Sequence, residues 1–354
     1  MGKPFRIIDT GIRDGRAQIA FDQALVDLHQ TGEVSDTLRF LRFPPTALIG
    51  RHQALSQELK LDYCAQNNIR TVRRITGGGP LYFDEGQLGW ELVFSRSSLG
   101  TSDLRELSLK ICEAVALGLS KLGVDAKYRA PTDIEVAGRK ISGTGGFFDG
   151  DTAMYQGTVL IDMDPADMIA TLNVPSPEIA KSLIDSAAQR VVTFKELLRS
   201  IPEIDEVKAK LVEGFAEHLG IDAVPGEITA REEELAKQYF DDEIGTDDFV
   251  AEIDNPAAEA GILSARHAGA GGAVTAYVRL EGPQQDRFRE VLITGDFFIA
   301  PPRTIFDLEA ALRGTFTKDI QQTVTGFFEI ADVGLMTVGA DDFATALQQA
   351  VAAK

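Results

Sequence analysis

The chain has 354 residues, 44% hydrophobic and 25% charged, which suits a large globular domain with a smaller companion and excludes a disordered or fibrous chain. Acidic residues outnumber basic ones 54 to 35, a formal charge of −19, so the bulk surface repels nucleic-acid phosphates and anionic lipid. No apolar run approaches the roughly 20 residues of a membrane span, and MGKPFRIIDTGIRDGRAQ lacks a signal peptide's apolar core, so the expected setting is cytoplasmic.

Ala20, Phe21, Ala24, Leu25 and Leu28 form one stripe that predicts a helix over 17–29. TLRFLRF (37–43) and TALIG (46–50) predict strands divided by Pro44-Pro45, the second broken by Gly50. Residues 55–67 read as helical, RTVRRIT (70–76) is β-rich and runs into glycines, and 81–95 reads as strand, turn and strand. A long helix begins at Asp103, which has capping-box spacing to Glu106, and ends at Gly123. Residues 132–143 predict a hairpin turning at Ala137-Gly138, and 157–163 a further strand, with helices dominating to about 220. From 226 to 260 acids accumulate and apolar periodicity weakens, which predicts a helical linker. Beyond it 271–282 and 288–298 read as strands, and 305–314 and 340–354 as amphipathic helices. The expected class is α+β: a large domain with mixed sheets over 1–225, a linker at 226–255, and a small α+β domain over 256–354 that folds semi-independently.

Arg73-Arg74-Ile75-Thr76-Gly77-Gly78-Gly79 is the most informative stretch. Three glycines after a β-branched strand let backbone N–H groups approach an oxygen-rich ligand, and adjacent arginines can fork onto phosphate or carboxylate. No GK[ST] closes the loop as in a Walker motif, and the same residues also suit a plain glycine bulge between strands. The second stretch, Arg139-Lys140-Ile141-Ser142-Gly143-Thr144-Gly145-Gly146, places Lys140 beside bare backbone, where its ammonium can neutralise a phosphate or a carboxylate becoming an acyl phosphate. Alone, such a lysine suits a solvated hairpin equally. Together, Arg70, Arg73, Arg74, Arg139 and Lys140 make a basic island in an acidic chain, which points to an anionic, phosphate-bearing ligand. Two cysteines, Cys64 and Cys112, exclude a disulfide framework and fit a reducing compartment; both fall in helical stretches with no activating histidine in sequence. None of His29, His52, His218 and His267 has metal-ligand spacing, and His52, after a glycine turn, is the candidate site histidine.

At this point RRITGGGPLYFDEGQLGWEL resembles the RRxSGGGxVFHDxGN block of lipoate–protein ligases, and TDIEVAGRKISGTGG resembles their ND(I/L)xVxGxKISGSA block. AFDQALVDLH…TLRFLRFPPTALIGRHQ resembles the family's N-terminal helix, strand and GRxQ turn, and YQGTVLIDMD its (H)HGTLLLxxD strand. Four blocks in order span 17–163, and the tail from GGAVTAYVRLEG to LEAALRG resembles the family's small accessory domain. The resemblance implies a biotin/lipoyl-ligase fold, ATP and magnesium as cofactors, lipoate or octanoate as the acid, and a lipoyl-domain or H-protein-like carrier as the partner. It assigns Arg74 to lipoate or phosphate, and Gly77, Gly78, Gly79, Pro80, Leu81 and Tyr82 to the nucleotide site. Asp133 is placed near the metal and phosphates, and Lys140 is the catalytic cation. The chain departs from the family at Phe83, Thr132 and Gln156, and in reading GTGG where GSA is common.

Two rivals are set aside at this level. An octanoyl or lipoyl transferase of the same fold needs a reactive cysteine near the lysine, and 125–165 contains none. A non-catalytic acyl- or carrier-binding protein has no need of Lys140. Every candidate ligand contact lies before residue 165, so the small domain is expected to add none of its own, but to close over the adenylation site and serve mainly the making of the adenylate.

Overall fold

The computed structural model describes residues 2–173, 190–269 and 271–353. Its first strand, Lys3–Ile12 (β1), buries Phe5, Ile8 and Thr10 without a regular alternation, and it precedes every element read from the sequence. Thr37–Arg42 (β2), Thr46–Ile49 (β3), Arg70–Arg73 (β4), Leu81–Phe83 (β5) and Gln87–Ser95 (β6) follow. Ala126–Arg129 (β7), Asp133–Val136 (β8), Arg139–Asp149 (β9), Thr152–Leu160 (β10) and Ile221–Pro225 (β11) complete this part. Eight of these form a mixed sheet in the order β11-β1-β2-β6-β10-β9-β8-β7, in which β1 runs parallel to both its neighbours. A small sheet, β4-β3-β5, carries the first glycine block away from β4 and back into β5.

The Gly15–Gln30 helix is capped by Asp14, whose carboxylate accepts from the Arg16 amide, and it buries the predicted stripe against the sheet. The Leu104–Ser120 helix is capped by Asp103 on the Glu106 amide, as its spacing predicts. Residues 55–67 divide into two short helices, Leu55–Glu58 and Leu61–Gln66. The strand expected at 157–163 starts earlier and belongs to β10, whose buried residues leave little alternation to read.

The sheet buries an ion cluster whose parts come from three elements. Arg39 on β2 pairs with Asp22 of the first helix and lies 2.7 Å from Glu91 on β6, all three shielded from solvent. Two acids face one base, and burial pushes both carboxyls up, Glu91 well above the usual range. The Arg39 guanidinium between them opposes that rise, so the three groups form one mutually dependent charge cluster.

The acidic segment expected as a linker is fastened to the large body. Its Ala230–Asp242 helix has a complete capping box from Thr229 and Glu232, and buried Glu232 pairs with Arg6 on β1. Arg73 holds the following stretch by donating to the carbonyls of Phe249, Val250 and Ile253, and also to those of Gly50, Arg51 and Gln53. The apolar anchors, Ala236, Ile244, Val250 and Ile253, are too irregularly spaced to mark a face in sequence.

Past it, Leu263–Gly269 (β12), Gly272–Glu281 (β13) and Arg287–Gly295 (β14) form an antiparallel sheet, and Ile299–Ala300 (β15) pairs with Gly334–Leu335 (β16). Helices Thr304–Leu312, Ile320–Ile330 and Ala340–Ala352 close a second core around Phe288, Phe297, Phe343 and Leu308. The two parts meet through backbone and side-chain bonds: Gly295 N–H to the His52 carbonyl at 3.0 Å, and Tyr277 hydroxyl to Gln57 at 2.8 Å. Among the described residues no helix is long and apolar enough to cross a membrane.

Two outcomes follow from this packing. Arg39→Met leaves Asp22 and Glu91 without their counter-ion and should cost about 3–5 kcal/mol in chemical denaturation. Glu91→Gln removes one of the two buried acids while keeping Arg39 paired with Asp22 and should cost far less; equal losses would count against Arg39 as the hub of the cluster. At the interface, burial first and Asp296 second raise the Glu58 carboxyl to about 7. A raised acid binds its proton more tightly in the folded chain, so stability should fall as pH rises from about 4.5 through 7. Glu58→Gln should flatten that fall in melting temperatures recorded across the window, and an unchanged slope would count against it.

Candidate active site

Arg74 leaves the end of β4 with its amide bonded to the Ile49 carbonyl at 2.9 Å. Its side chain turns back under the glycines and donates from Nη2 to the carbonyls of Gly77 and Gly79, both at 3.0 Å. Burial pulls its pKa down to about 10, which keeps it charged at neutral pH. Arg74 thus shapes the loop from behind, and Arg73 ties down the acidic segment. Of the basic island, Arg70 pairs with Asp14 and Arg139 with Glu196, both near the surface.

The second block is a hairpin, as predicted, with Ala137 and Gly138 both at positive φ (51° and 79°) in its turn. Its register slips by one residue between the Ile134–Ser142 and Glu135–Lys140 pairs. Such a bulge re-aims the side chain beside it. The Lys140 ammonium lies 2.8 Å from the Asp133 carboxylate, and both side chains are about one-third to two-fifths exposed (40% and 32%). The lysine stem lies over Gly143, where a Cβ would meet Nζ at 2.6 Å.

The two blocks face one cavity of about 480 Å³. Gly77, Gly79, Pro80, Leu81 and Tyr82 line it on one side, and Asp133, Lys140, Gly143 and Gly145 on the other. Its remaining wall is mostly apolar, from Ile19, Leu41, Phe43, Leu48, Leu160 and Met163. Among the described lining residues the cations are Arg74 and Lys140. Gln156 bridges the blocks by donating to the Thr76 hydroxyl at 2.8 Å, and Thr132 gives its carbonyl to the Thr144 amide at 2.9 Å. Phe83 packs on Phe43 with ring centres 4.6 Å apart.

Several placements correct the sequence reading. His52 does not line the cavity; it is buried between Phe297 and Phe306, and burial lowers its pKa to about 3, so it is a neutral packing group. The small domain does reach the site, through Gly271, Gly272, Asp296, Phe298 and Thr337. No local pattern in sequence marks these, because they arrive from strand ends and turns of a separately folded sheet. Asp22 and Trp90 also line the cavity. They sit amid apolar helix and strand residues, where only the fold reveals the face they share.

Cys112 is buried behind β9, with its sulfur 3.2 Å from the Thr144 hydroxyl, within a cluster that includes Tyr155 and Ser108. Cys64 is buried in the small-sheet core. Burial pushes both thiols up, and neither lines the cavity. Among the described residues no group of three or more His, Cys, Asp or Glu could hold a metal ion.

A family model, the lipoyl protein ligase A/B catalytic domain, matches residues 14–216. Lipoate-protein ligase A subunit 1 of Thermoplasma acidophilum is 31% identical over 244 residues, covering 66% of this chain and 91% of that one. An octanoyltransferase, LipM of Kyrpidia tusciae, is 30% identical over 260 residues, covering 67% of this chain and 94% of that one. Among solved structures, a lipoate-protein ligase A bound with ATP superposes with a TM-score of 0.62 at 30% identity, covering 71% of this chain and 99% of that one. A bi-partite lipoate protein ligase, described with its E2 lipoyl domain, from Thermoplasma acidophilum superposes with a TM-score of 0.64 at 28% identity, covering 72% and 97%. The chain belongs to the lipoyl protein ligase A/B catalytic-domain family.

Proposed function

We propose that this member of the family is an ATP-dependent, AMP-forming lipoate–protein ligase. The carrying observation is the pairing of a partly exposed Lys140 with Asp133 in the lining of a largely apolar cavity bordered by two glycine blocks. In the first step a lipoate carboxylate oxygen attacks the α-phosphate of ATP; the bond to pyrophosphate breaks and lipoyl-adenylate forms. In the second, a carrier lysine amine attacks the acyl carbonyl, the acyl–phosphate bond breaks and AMP leaves. Lys140 supplies the positive charge that offsets the oxygens gaining charge in both steps. Arg74 holds the glycine loop in shape, and Pro80, Leu81 and Tyr82 border the nucleotide. The apolar wall takes the acyl chain of lipoate, or of octanoate.

The donor set suits a magnesium ion carried in by the phosphates rather than a protein cage, since such an ion needs only one or two carboxylates and Asp133 borders the cavity. Bound there, magnesium would neutralise phosphate charge. The partner is a lipoyl-domain or H-protein-like carrier, and the reduced cysteines suit the cytoplasm. We assign catalysis to residues 1–225, connection to 226–255 and an accessory role to 256–354.

The second reading is the transferase weighed in the sequence, with a cysteine-borne acyl intermediate formed without ATP; a relative that bears the name octanoyltransferase is the observation in its favour. Against it stand the burial of both cysteines and the upward push on their thiols, which disfavours the nucleophilic thiolate.

Lys140→Ala should lower lipoyl transfer on the order of 100-fold or more. Its melting temperature should barely change, because the lost partner, Asp133, can still reach water. Near-normal transfer in a carrier gel-shift assay would remove Lys140 from the chemistry. The Cys64→Ser/Cys112→Ser double variant should keep ATP-dependent transfer and release AMP and pyrophosphate. Loss of transfer in a folded double variant, or an acyl-thioester turning over without ATP in the wild type, would favour the transferase.

A further inference from the structure

A side chain of the small domain stands between the two glycine blocks, beside the cavity they line. Phe298, on the segment joining β14 to β15, places its ring against both Gly78 and Gly145, and a Cβ added at either glycine would lie inside the ring's van der Waals surface. Its neighbour Phe297 gives its carbonyl to the Gly78 amide at 2.9 Å. That amide is one of the loop donors able to meet a phosphate oxygen. The segment is held from behind: the Phe298 amide donates to the Thr337 hydroxyl at 3.1 Å, and the Met336 amide donates to the Phe298 carbonyl at 3.3 Å. The Phe297 ring itself is anchored in the accessory core against Phe343, with centres 5.2 Å apart.

One N–H cannot give its bond to the Phe297 carbonyl and to a phosphate oxygen at full strength together, and the ring takes the space at Gly78 and Gly145 that a nucleotide reaching those glycines would need. The departure from the family pattern at the second block fits the same contact. Where GSA is common this chain reads Gly143-Thr144-Gly145, and an alanine at 145 would drive its methyl group into the Phe298 ring. Gly145 is thereby a socket for a side chain of the accessory domain.

We propose that the Phe297–Phe298 pair is an internal ligand of the nucleotide cleft, a competitor that ATP must displace. The inference rests on the ATP-dependent reading above. It assigns to Phe298 a role in setting nucleotide affinity: the docked segment lowers the fraction of molecules able to bind, and apparent affinity falls by that fraction.

The test uses the full-length chain and ATP. Phe298→Ala, checked by its melting curve, should bind ATP about tenfold more tightly than wild type in isothermal titration calorimetry. In the wild type, hydrogen exchange at the Gly295 amide, which donates to the His52 carbonyl across the interface, should quicken when ATP is added. Gly145→Ala should quicken the same exchange without ATP, and the effect should vanish when Phe298→Ala is also present. Equal ATP affinity in wild type and Phe298→Ala, or slower Gly295 exchange on adding ATP, would overturn the competition while leaving the ligase reading intact. ATP binding to neither protein would instead overturn the ligase reading, and this inference with it.

Discussion

The cleft depends on Arg74 committing its guanidinium to main-chain carbonyls. A run of glycines has no side chains with which to hold a shape, and its backbone freedom must be restrained from outside. Arg74 supplies that restraint from beneath, and the Gln156 bond to Thr76 adds a second tie from β10. The guanidinium remains protonated far above neutral pH, so this lock is no pH switch. With the loop fixed, the backbone of Gly77–Gly79 and the lysine hairpin face each other across one cavity.

The distribution of charge serves the same end. The interior bases Arg39, Arg73 and Arg74 each have inward partners, carboxyls in one case and carbonyls in the other two. Lys140 differs, being partly exposed on a bulged strand with a single carboxylate beside it. A partly hydrated ion pair can exchange partners at modest cost, whereas a buried one cannot. That contrast favours Lys140, rather than any of the three arginines, for the cationic role proposed above.

The accessory domain is a structural participant in the site. The family match at 14–216 stops well short of it, yet Phe298 and Asp296 border the same cavity as Lys140. The segment between them and the large body is held by Arg6 and Arg73. Neither tie involves a residue of the small domain. The small domain meets the large body at His52, Gly78 and Gly145, and also through the Tyr277–Gln57 and Arg96–Asp332 pairs.

Periodicity made the Gly15–Gln30 and Leu104–Ser120 helices legible, since each buries one stripe and carries an acidic cap at the right spacing. The hairpin at Ala137-Gly138 and the glycine loop were legible for local reasons too, because turn chemistry and missing side chains act within a few residues. The edge strand β11 and the partly buried β12 were not, because their partners lie far along the chain or their faces are only half covered. The α+β class, the two glycine blocks and the chemical type of each candidate residue were thus determined by sequence alone. Tertiary structure alone decided that Arg73 and Arg74 face carbonyls, that His52 packs, that both thiols are buried, and that Phe298 enters the cleft. The physical reason is that an ionisable or aromatic group carries the same chemistry wherever it sits, while its partner and its hydration are set by residues far along the chain, as Arg73 and Ile253 show from 180 positions apart.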